Sequence, residues 1–283
     1  MITRKTVKQW MGVMAVVGAL AWGLTPVGAA PITLKDENSV LYVDPALPSG
    51  VYGWEVDGVD NVWEHWFWYR IGSSSESSLA SLPIVAHGTT DTNFDGDDDT
   101  LFVRYELAGV VRFNVRLSLD GGSPGSNVSD LAEQIQIRNL SGTAIRLSFF
   151  QYTDFDLFAN PAGDSALIKL DPVTGLPTEV VQWKGSAVLT EVVLTPDATC
   201  GEISESPQIL AKLTDFDADD LSNTFGPVSL DDVTWALQWD FTLAPGQSVL
   251  ISKDLRLVIP EPTTAGLVGL ALLGVATALR RRA

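Results

Sequence analysis

Val110–Leu119 reads VVRFNVRLSL, and this stretch indicates which kind of structure the chain forms. Every second residue is apolar and falls on one face of an extended backbone: Val111, Phe113, Val115, Leu117 and Leu119. The residues between them are polar and fall on the other face: Arg112, Asn114, Arg116 and Ser118. Because a period of two with one polar face is typical of an antiparallel strand packed on a core, the stretch predicts such a strand.

The same alternation recurs elsewhere between residues 30 and 259. Thr234–Leu243, TWALQWDFTL, is a second such stretch. Its large apolar residues stand at the odd positions from 235 to 243 and would share one face of a strand. We expect the residues at the even positions, from 234 to 242, to face solvent. Gln134–Arg138 follows the same pattern. Turn-forming residues separate these runs at 120–125, 171–177 and 244–247.

Many short strands joined by Gly- and Pro-containing turns predict an all-β fold, an antiparallel β-sandwich or jelly roll. We expect residues 30–259 to form one exported domain, because no long low-complexity linker divides them. The Ser-rich segment 72–78 is short and predicts a surface loop.

The first 29 residues have the three-part layout of a secretory signal peptide. Arg4, Lys5 and Lys8 give a basic start, residues 11–24 are apolar, and small residues follow. Val27 and Ala29 satisfy the small-residue rule for cleavage, so we predict a signal helix that is cut after Ala29. A retained signal anchor is the alternative.

The chain ends in an apolar run, residues 263–279, followed by Arg280, Arg281 and Arg282. As a helix the run would be roughly 25 Å long, enough to cross a thin hydrocarbon core. Because basic residues concentrate on the cytoplasmic side, we predict a single transmembrane helix with residues 30–259 outside. A buried core helix is the alternative.

Pro260, Glu261 and Pro262 directly precede this run, and prolines make the spacer extended and stiff. The order of a Pro-Glu-Pro motif, a short apolar helix and a terminal Arg cluster resembles the PEP-CTERM sorting signal of Gram-negative bacteria. The resemblance covers residues 260–283. It implies processing by an exosortase-type membrane enzyme and sorting to the cell surface or extracellular matrix. An unprocessed single-pass membrane protein is the alternative.

Composition restricts the partners and the chemistry. Residues 30–259 contain 12 Lys and Arg against 34 Asp and Glu, a net charge of −22, which argues against nucleic acid or anionic lipid as a partner. Cys200 is the single cysteine, so an intramolecular disulfide and a Cys-based zinc site are excluded. With only His65 and His87, and no G-x-S-x-G, Walker A or G-x-G-x-x-G motif, the common nucleophile and nucleotide chemistries are not expected.

The segment DTNFDGDDD, residues 91–99, is a candidate calcium loop. Oxygen ligands at alternate positions before Gly96 match the first half of an EF-hand loop, although Phe102 stands where an EF-hand has Glu. The pattern resembles the loops of thrombospondin type-3 and dockerin-like repeats, but occurs once. The candidate Ca²⁺ ligands are Asp91, Asn93, Asp95, Asp97 and Asp99. An acidic turn between strands is the alternative.

The motif TDFD occurs twice, at Thr153–Asp156 and at Thr214–Asp217. On a strand the two aspartates of each motif share one face. They form a candidate carboxylate set for glycoside cleavage, which needs carboxyl groups about 5–10 Å apart, or for a cation: Asp154, Asp156, Asp215 and Asp217. We prefer the simpler interpretation, in which each motif is a strand end with solvated aspartates and a buried Phe.

Trp63–Tyr69, WEHWFWY, is dense in aromatic residues. Exposed aromatic rings stack on sugars, and an extracellular polysaccharide is a plausible ligand for an exported protein. However, Trp66 and Trp68 fall on one face and Phe67 and Tyr69 on the other, and a two-sided aromatic strand is typical of a core. We therefore expect this strand to be buried.

Taken together, the sequence predicts a non-enzymatic exported protein with a structural or adhesive role, stabilised by Ca²⁺ if the loop at 91–99 binds it. The alternative is a carbohydrate-binding or glycoside-cleaving β-sandwich. Convergence of all four aspartates of the TDFD motifs in a groove beside an exposed Trp would favour the carbohydrate-active enzyme. Scattered aspartates and buried tryptophans would favour the structural role.

Overall fold

The computed structural model describes residues 30–229 and 232–259. The predicted signal helix, the Pro-Glu-Pro motif, the predicted transmembrane helix and the terminal arginines lie outside the described residues. Within these ranges, none of the helices has the length and hydrophobicity of a membrane span.

Strands dominate the described residues. The first nine are β1 Ile32–Asp36, β2 Ser39–Asp44, β3 Gly50–Val56, β4 Val59–Asp60, β5 Glu64–Ile71, β6 Ser77–Ser78, β7 Ile84–Thr90, β8 Thr100–Leu107 and β9 Val111–Gly121. The others are β10 Val128–Asn139, β11 Ile145–Asp154, β12 Ser165–Leu170, β13 Pro177–Lys184, β14 Ala187–Thr195, β15 Cys200–Glu205, β16 Val228–Ser229, β17 Val233–Leu243 and β18 Ser248–Val258. A 3-10 turn covers Leu79–Ser81, and helix α1 covers Gln208–Thr214.

These strands form two sheets. The first has the order β1-β2-β3-β5-β11-β17-β15, with β4 on β3 and β6 on β5. The second has the order β16-β12-β13-β14-β18-β10-β9-β8-β7. Neighbouring strands are antiparallel except for the short β3–β5 pairing. The prediction of an all-β, antiparallel fold is confirmed.

The two sheets pack face to face around an aromatic and aliphatic core. Tyr69 of the first sheet and Phe113 of the second have ring centroids 5.2 Å apart. Trp235 Nε1 donates to Gln182 Oε1 across the same interface at 3.0 Å. The apolar face of β9 is buried here, as its alternation predicts. The arrangement is a β-sandwich, which places the ends of the strands at its rims.

The polar face of β17 differs from the sequence prediction. Thr234, Ala236 and Gln238 were expected to face solvent, but all three are fully buried. The chain between β15 and β17 folds back over this face, where Leu221 N–H donates to Gln238 Oε1 at 2.9 Å. The strand is therefore covered on both sides along most of its length, and only Asp240 and Thr242 remain exposed.

Candidate functional site

Three central strands of the first sheet bring acidic residues to one end of the sandwich. Asp154 is the last residue of β11, and it pairs with Glu64 at the start of β5 and with Thr234 on β17. Asp156 follows Asp154 by two residues and Asp232 precedes Thr234 by two residues, so both aspartates lie just beyond the paired ends of β11 and β17. Side chains two apart on a strand share a face, so the aspartates of both strands can meet there.

The carboxylates of Asp154, Asp156 and Asp232 do meet. Each supplies one oxygen, and these three oxygens lie within 4.8 Å of one another. They line a cavity of about 410 Å³ together with Trp63, Pro161 and Ser206, and we call this cavity the acidic pocket. Its lining residues include no Lys or Arg.

Trp63 forms an apolar wall of the acidic pocket. Trp63 is the residue directly before β5 and is 67% exposed, whereas Trp66 and Trp68 within β5 are buried. The backbone N–H of Trp63 donates to the backbone carbonyl of Asp154 at 3.0 Å, and this bond holds the tryptophan beside the end of β11. The pocket therefore combines an accessible indole with clustered carboxylates.

Asp154 lies at the buried end of the pocket and is only 4% exposed. Its Oδ2 accepts a hydrogen bond from Tyr152 at 3.4 Å, and its Oδ1 has no partner among the described residues. Burial, followed by the negative charges of Asp232 and Asp156, raises the pKa of Asp154 to about 8.

The neighbouring acids have raised pKa values for related reasons. Burial and the charge of Asp232 raise the pKa of Asp156 to about 6, and burial raises the pKa of Glu64 to about 7. Asp154, Asp156 and Glu64 therefore stay protonated up to a higher pH than ordinary carboxyl groups do. Clusters of this kind are typical of functional sites, because their charge is destabilised until a ligand compensates it.

Backbone hydrogen bonds position Asp232. It forms a β-bridge with Ala162, and its carbonyl accepts from the Ser206 N–H at 2.9 Å. The residues that supply these contacts belong to the connections after β11 and after β15. The geometry of the pocket consequently depends on two loops as well as on the sheet.

Only half of the predicted carboxylate set reaches the pocket. Asp215 and Asp217 lie at the C-terminal end of α1, are exposed, and bond locally through Asp217 N–H to Asp215 Oδ1 at 2.9 Å. The two TDFD motifs also differ at their central residue, because Phe155 is buried and Phe216 is 97% exposed. The structure therefore does not join the two motifs.

Asp232 is the one of the three clustered aspartates that the sequence pattern does not single out. It stands directly before the alternating stretch of β17, so its position at a strand end was visible in the sequence. The pairing of β17 with β11 was not, because strand neighbours are chosen by tertiary packing. Glu64 was likewise visible only as part of an aromatic segment.

The predicted calcium loop lies between β7 and β8 and is largely exposed. Its polar side chains accept hydrogen bonds from the backbone of the loop itself, as when Asp91 accepts from the N–H groups of Phe94 and Gly96. Among the described residues, the acidic pocket and not this loop brings three acidic side chains within 4.8 Å. Calcium binding by Asp91, Asn93, Asp95, Asp97 and Asp99 stays a prediction.

The aromatic strand β5 is part of the core, as expected. Trp66, Phe67 and Trp68 are buried on both faces of the sheet. His65 is buried as well, and its Nε2 lies 2.7 Å from Glu133 Oε1 of the opposite sheet. It faces the interior of the sandwich, away from the acidic pocket.

Comparisons with known proteins show which solved structures have a similar fold. No protein-family profile and no curated protein matches the sequence. A bacterial glucoamylase, solved in complex with acarbose, is similar in structure with a TM-score of 0.52 and 9% sequence identity. The likeness covers 84% of this chain but 32% of the glucoamylase chain.

Two further similar structures have lower scores. A putative aldose 1-epimerase from Escherichia coli K12 has a TM-score of 0.46 and 12% identity, covering 81% of this chain and 98% of its own. A galactose mutarotase-like protein from Lactobacillus casei has a TM-score of 0.45 and 9% identity, covering 81% of this chain and all of its own.

The comparison with the glucoamylase corrects the leading functional prediction. The structural or adhesive role expected from the sequence is contradicted, because the glucoamylase match, a likeness of fold, fits the carbohydrate alternative better. The criterion drawn from the sequence is met only in part, since Asp154 and Asp156 converge in a pocket beside the exposed Trp63, whereas Asp215 and Asp217 lie elsewhere.

Proposed function

We propose that residues 30–259 bind carbohydrate and that the acidic pocket is the sugar site. The observation that supports this most directly is the exposed Trp63 indole in a cavity shared with three carboxylates. An indole face packs against the C–H faces of a sugar ring, and carboxylates accept hydrogen bonds from its hydroxyl groups. A volume of about 410 Å³ falls within the roughly 300–1,000 Å³ of small-molecule sites.

The negative charge of the acidic pocket restricts the class of sugar that the pocket can bind. The pocket is lined by acids without a compensating Lys or Arg, in a region of the chain with a net charge of −22. In the absence of a bound cation, a uronic acid or a sulfated sugar would be repelled. The pocket suits neutral sugars and amino sugars, whose ammonium group would be attracted.

Glycoside cleavage is a second candidate, supported by the different pKa values of Asp154 and Asp156. One could remain a proton donor while the other is ionised, as acid and base catalysis requires. One oxygen from each aspartate lies within 4.8 Å of the other two, which is closer to the about 5–5.5 Å carboxyl separation of retaining glycosidases than to the 6.5–9.5 Å of inverting ones. We favour binding as the primary function, because the exposed indole and the carboxylates support it without a catalytic step.

The proposed location follows from the two ends of the sequence. The signal-peptide pattern of residues 1–29 supports export, and the likeness of residues 260–283 to a PEP-CTERM signal supports processing by an exosortase-type enzyme. The domain would then meet polysaccharide at the cell surface or in the extracellular matrix.

The test is a calorimetric titration of the purified chain with neutral, amino and acidic oligosaccharides. We expect binding of a neutral or amino sugar, and Trp63→Ala should weaken it at least tenfold, because the stacking surface is lost. Phe216→Ala is the matched control, since this ring is also exposed but lies just after α1, outside the pocket.

Equal affinities of the Trp63→Ala variant and the unchanged chain would contradict the proposed site. New reducing ends during incubation with an oligosaccharide that the chain binds, absent in an Asp154→Asn variant, would support cleavage over simple binding.

A further inference from the structure

The acidic pocket is unusual for its concentration of negative charge. Three carboxylate oxygens, from Asp154, Asp156 and Asp232, lie within 4.8 Å of one another. At this distance ionised carboxylates repel one another, and the repulsion is stronger in a partly buried site than in water. Either protons or a cation must offset it.

Asp154 gives a second and separate indication. It is 4% exposed, and its Oδ1 is buried without a hydrogen-bond partner among the described residues. Buried carboxylate oxygens are nearly always paired, because an unpaired one has lost its water without replacement. An unpaired oxygen that lines a cavity beside two further carboxylates is the arrangement expected of a metal ligand.

The protein itself supplies little positive charge to the pocket. Lys184 acts on Asp156 from a distance, but its Nζ pairs with Asp164 Oδ1 at 3.1 Å and also bonds the Asn160 carbonyl. It is therefore already engaged outside the residues that line the pocket. The three aspartates have room for an exogenous cation.

We propose that Asp154, Asp156 and Asp232 bind a divalent cation of the calcium class. Hard oxygen ligands suit Ca²⁺, and its ligands lie about 2.3–2.6 Å from the ion, so two of them can be as much as about 5 Å apart. Mg²⁺ demands near-ideal octahedral geometry and usually keeps several of its waters, so a cluster of protein carboxylates suits it less. The inference does not depend on sugar binding, although the ion would also present a charge to sugar hydroxyls.

The experiment compares thermal unfolding of the full chain in EDTA and in millimolar CaCl₂, with calorimetry to count sites. Ca²⁺ at about 100 times its Kd should raise the Tm by roughly 5–10 °C, because it binds the folded state alone. Asp232→Asn should abolish this rise, and Asp156→Asn provides a second variant. Their Tm in EDTA should equal or exceed that of the unchanged chain, which shows that they fold.

Two controls separate this site from the others. Asp215→Asn alters an exposed aspartate outside the pocket and should keep the rise. Asp95→Asn alters the loop at 91–99 and should also keep it. A rise that survives Asp232→Asn but disappears in Asp95→Asn, or no rise in the unchanged chain, would overturn the proposal. Sugar titrations with and without Ca²⁺ test the sugar proposal separately.

Discussion

Three tryptophans lie within six positions of one another and have different environments. Trp66 and Trp68 are buried within β5, whereas Trp63 precedes the strand and is 67% exposed. The difference depends on close packing around β5. Gly50 shows this most clearly, because it lies against the ring of Trp66 and has a φ of +55°.

Replacing Gly50 by alanine should destabilise the fold severely. The added β-carbon would lie 1.9 Å from Trp66 Cδ2, and the residue would keep a left-handed backbone. Overpacking and backbone strain together should cost roughly 3 kcal/mol, measured by urea unfolding. Gly58→Ala is the control, because φ is +79° there but the added atom meets open space, and it should cost about 1 kcal/mol. Equal losses would show that the contact with Trp66 is unimportant.

At the scale of elements, the interior of the sandwich contains a charged network. Glu133 of β10 is fully buried, with one oxygen 2.7 Å from His65 Nε2 and the other 2.5 Å from Lys253 Nζ of β18. Lys253 also lies 3.4 Å from Glu191 of β14. The network links β5 of one sheet to three strands of the other.

Glu133→Gln should cost roughly 3–5 kcal/mol at pH 7, because it leaves the ammonium of Lys253 buried with a weaker partner. Burial opposes the charge of Glu133, but His65 and Lys253 outweigh it and lower its pKa to about 2. This stabilisation is therefore present above the ordinary glutamate pKa and is lost as the pH falls towards 2. Urea unfolding at pH 7 and pH 3 should show a smaller difference between variant and unchanged chain at pH 3.

Glu179→Gln is the matched control for this prediction. Glu179 pairs with Lys169 at 2.7 Å on the partly exposed surface of β12 and β13. An exposed pair of this kind contributes about 0–1 kcal/mol, so the change should be small at both pH values. A loss in Glu133→Gln no larger than this would argue against a stabilising role for the buried network.

At the scale of the whole molecule, the folded core continues to the start of the predicted sorting segment. Strand β18 lies between β10 and β14 and ends at Val258, and Ile259 is still buried, with its N–H donating to the Asn127 carbonyl at 2.8 Å. The sequence continues directly with Pro260. A processing enzyme that grips the Pro-Glu-Pro motif must therefore approach close to the sandwich.

If the proposed exosortase-type enzyme processes the chain, changing Pro260, Glu261 and Pro262 to alanines should leave it uncleaved in the membrane, because the stiff spacer that this enzyme would recognise is lost. Membrane fractionation and the mass of the released chain in the native host provide the measurement. Alanines at Thr263 and Thr264 are the control and should permit release. Normal release of the Pro-Glu-Pro variant would instead support an unprocessed single-pass protein.

The local pattern of the chain is sufficient to predict the all-β class and the inward faces of strands such as β9. Backbone geometry makes side chains alternate along any strand, so the buried face can be identified without knowledge of the neighbouring strand. The same reasoning identified Asp154 and Asp156 as residues of one face. The interpretations of both chain ends also come from sequence alone.

Only the tertiary structure decided which residues meet. Asp232 joins Asp154 and Asp156 because β17 pairs with β11, and Asp215 and Asp217 are excluded because a helix carries them elsewhere. The polar face of β17 is buried because the connection that precedes the strand folds back over it. Strand pairing and loop cover arise from contacts between residues far apart in the chain, and local alternation contains no information about them.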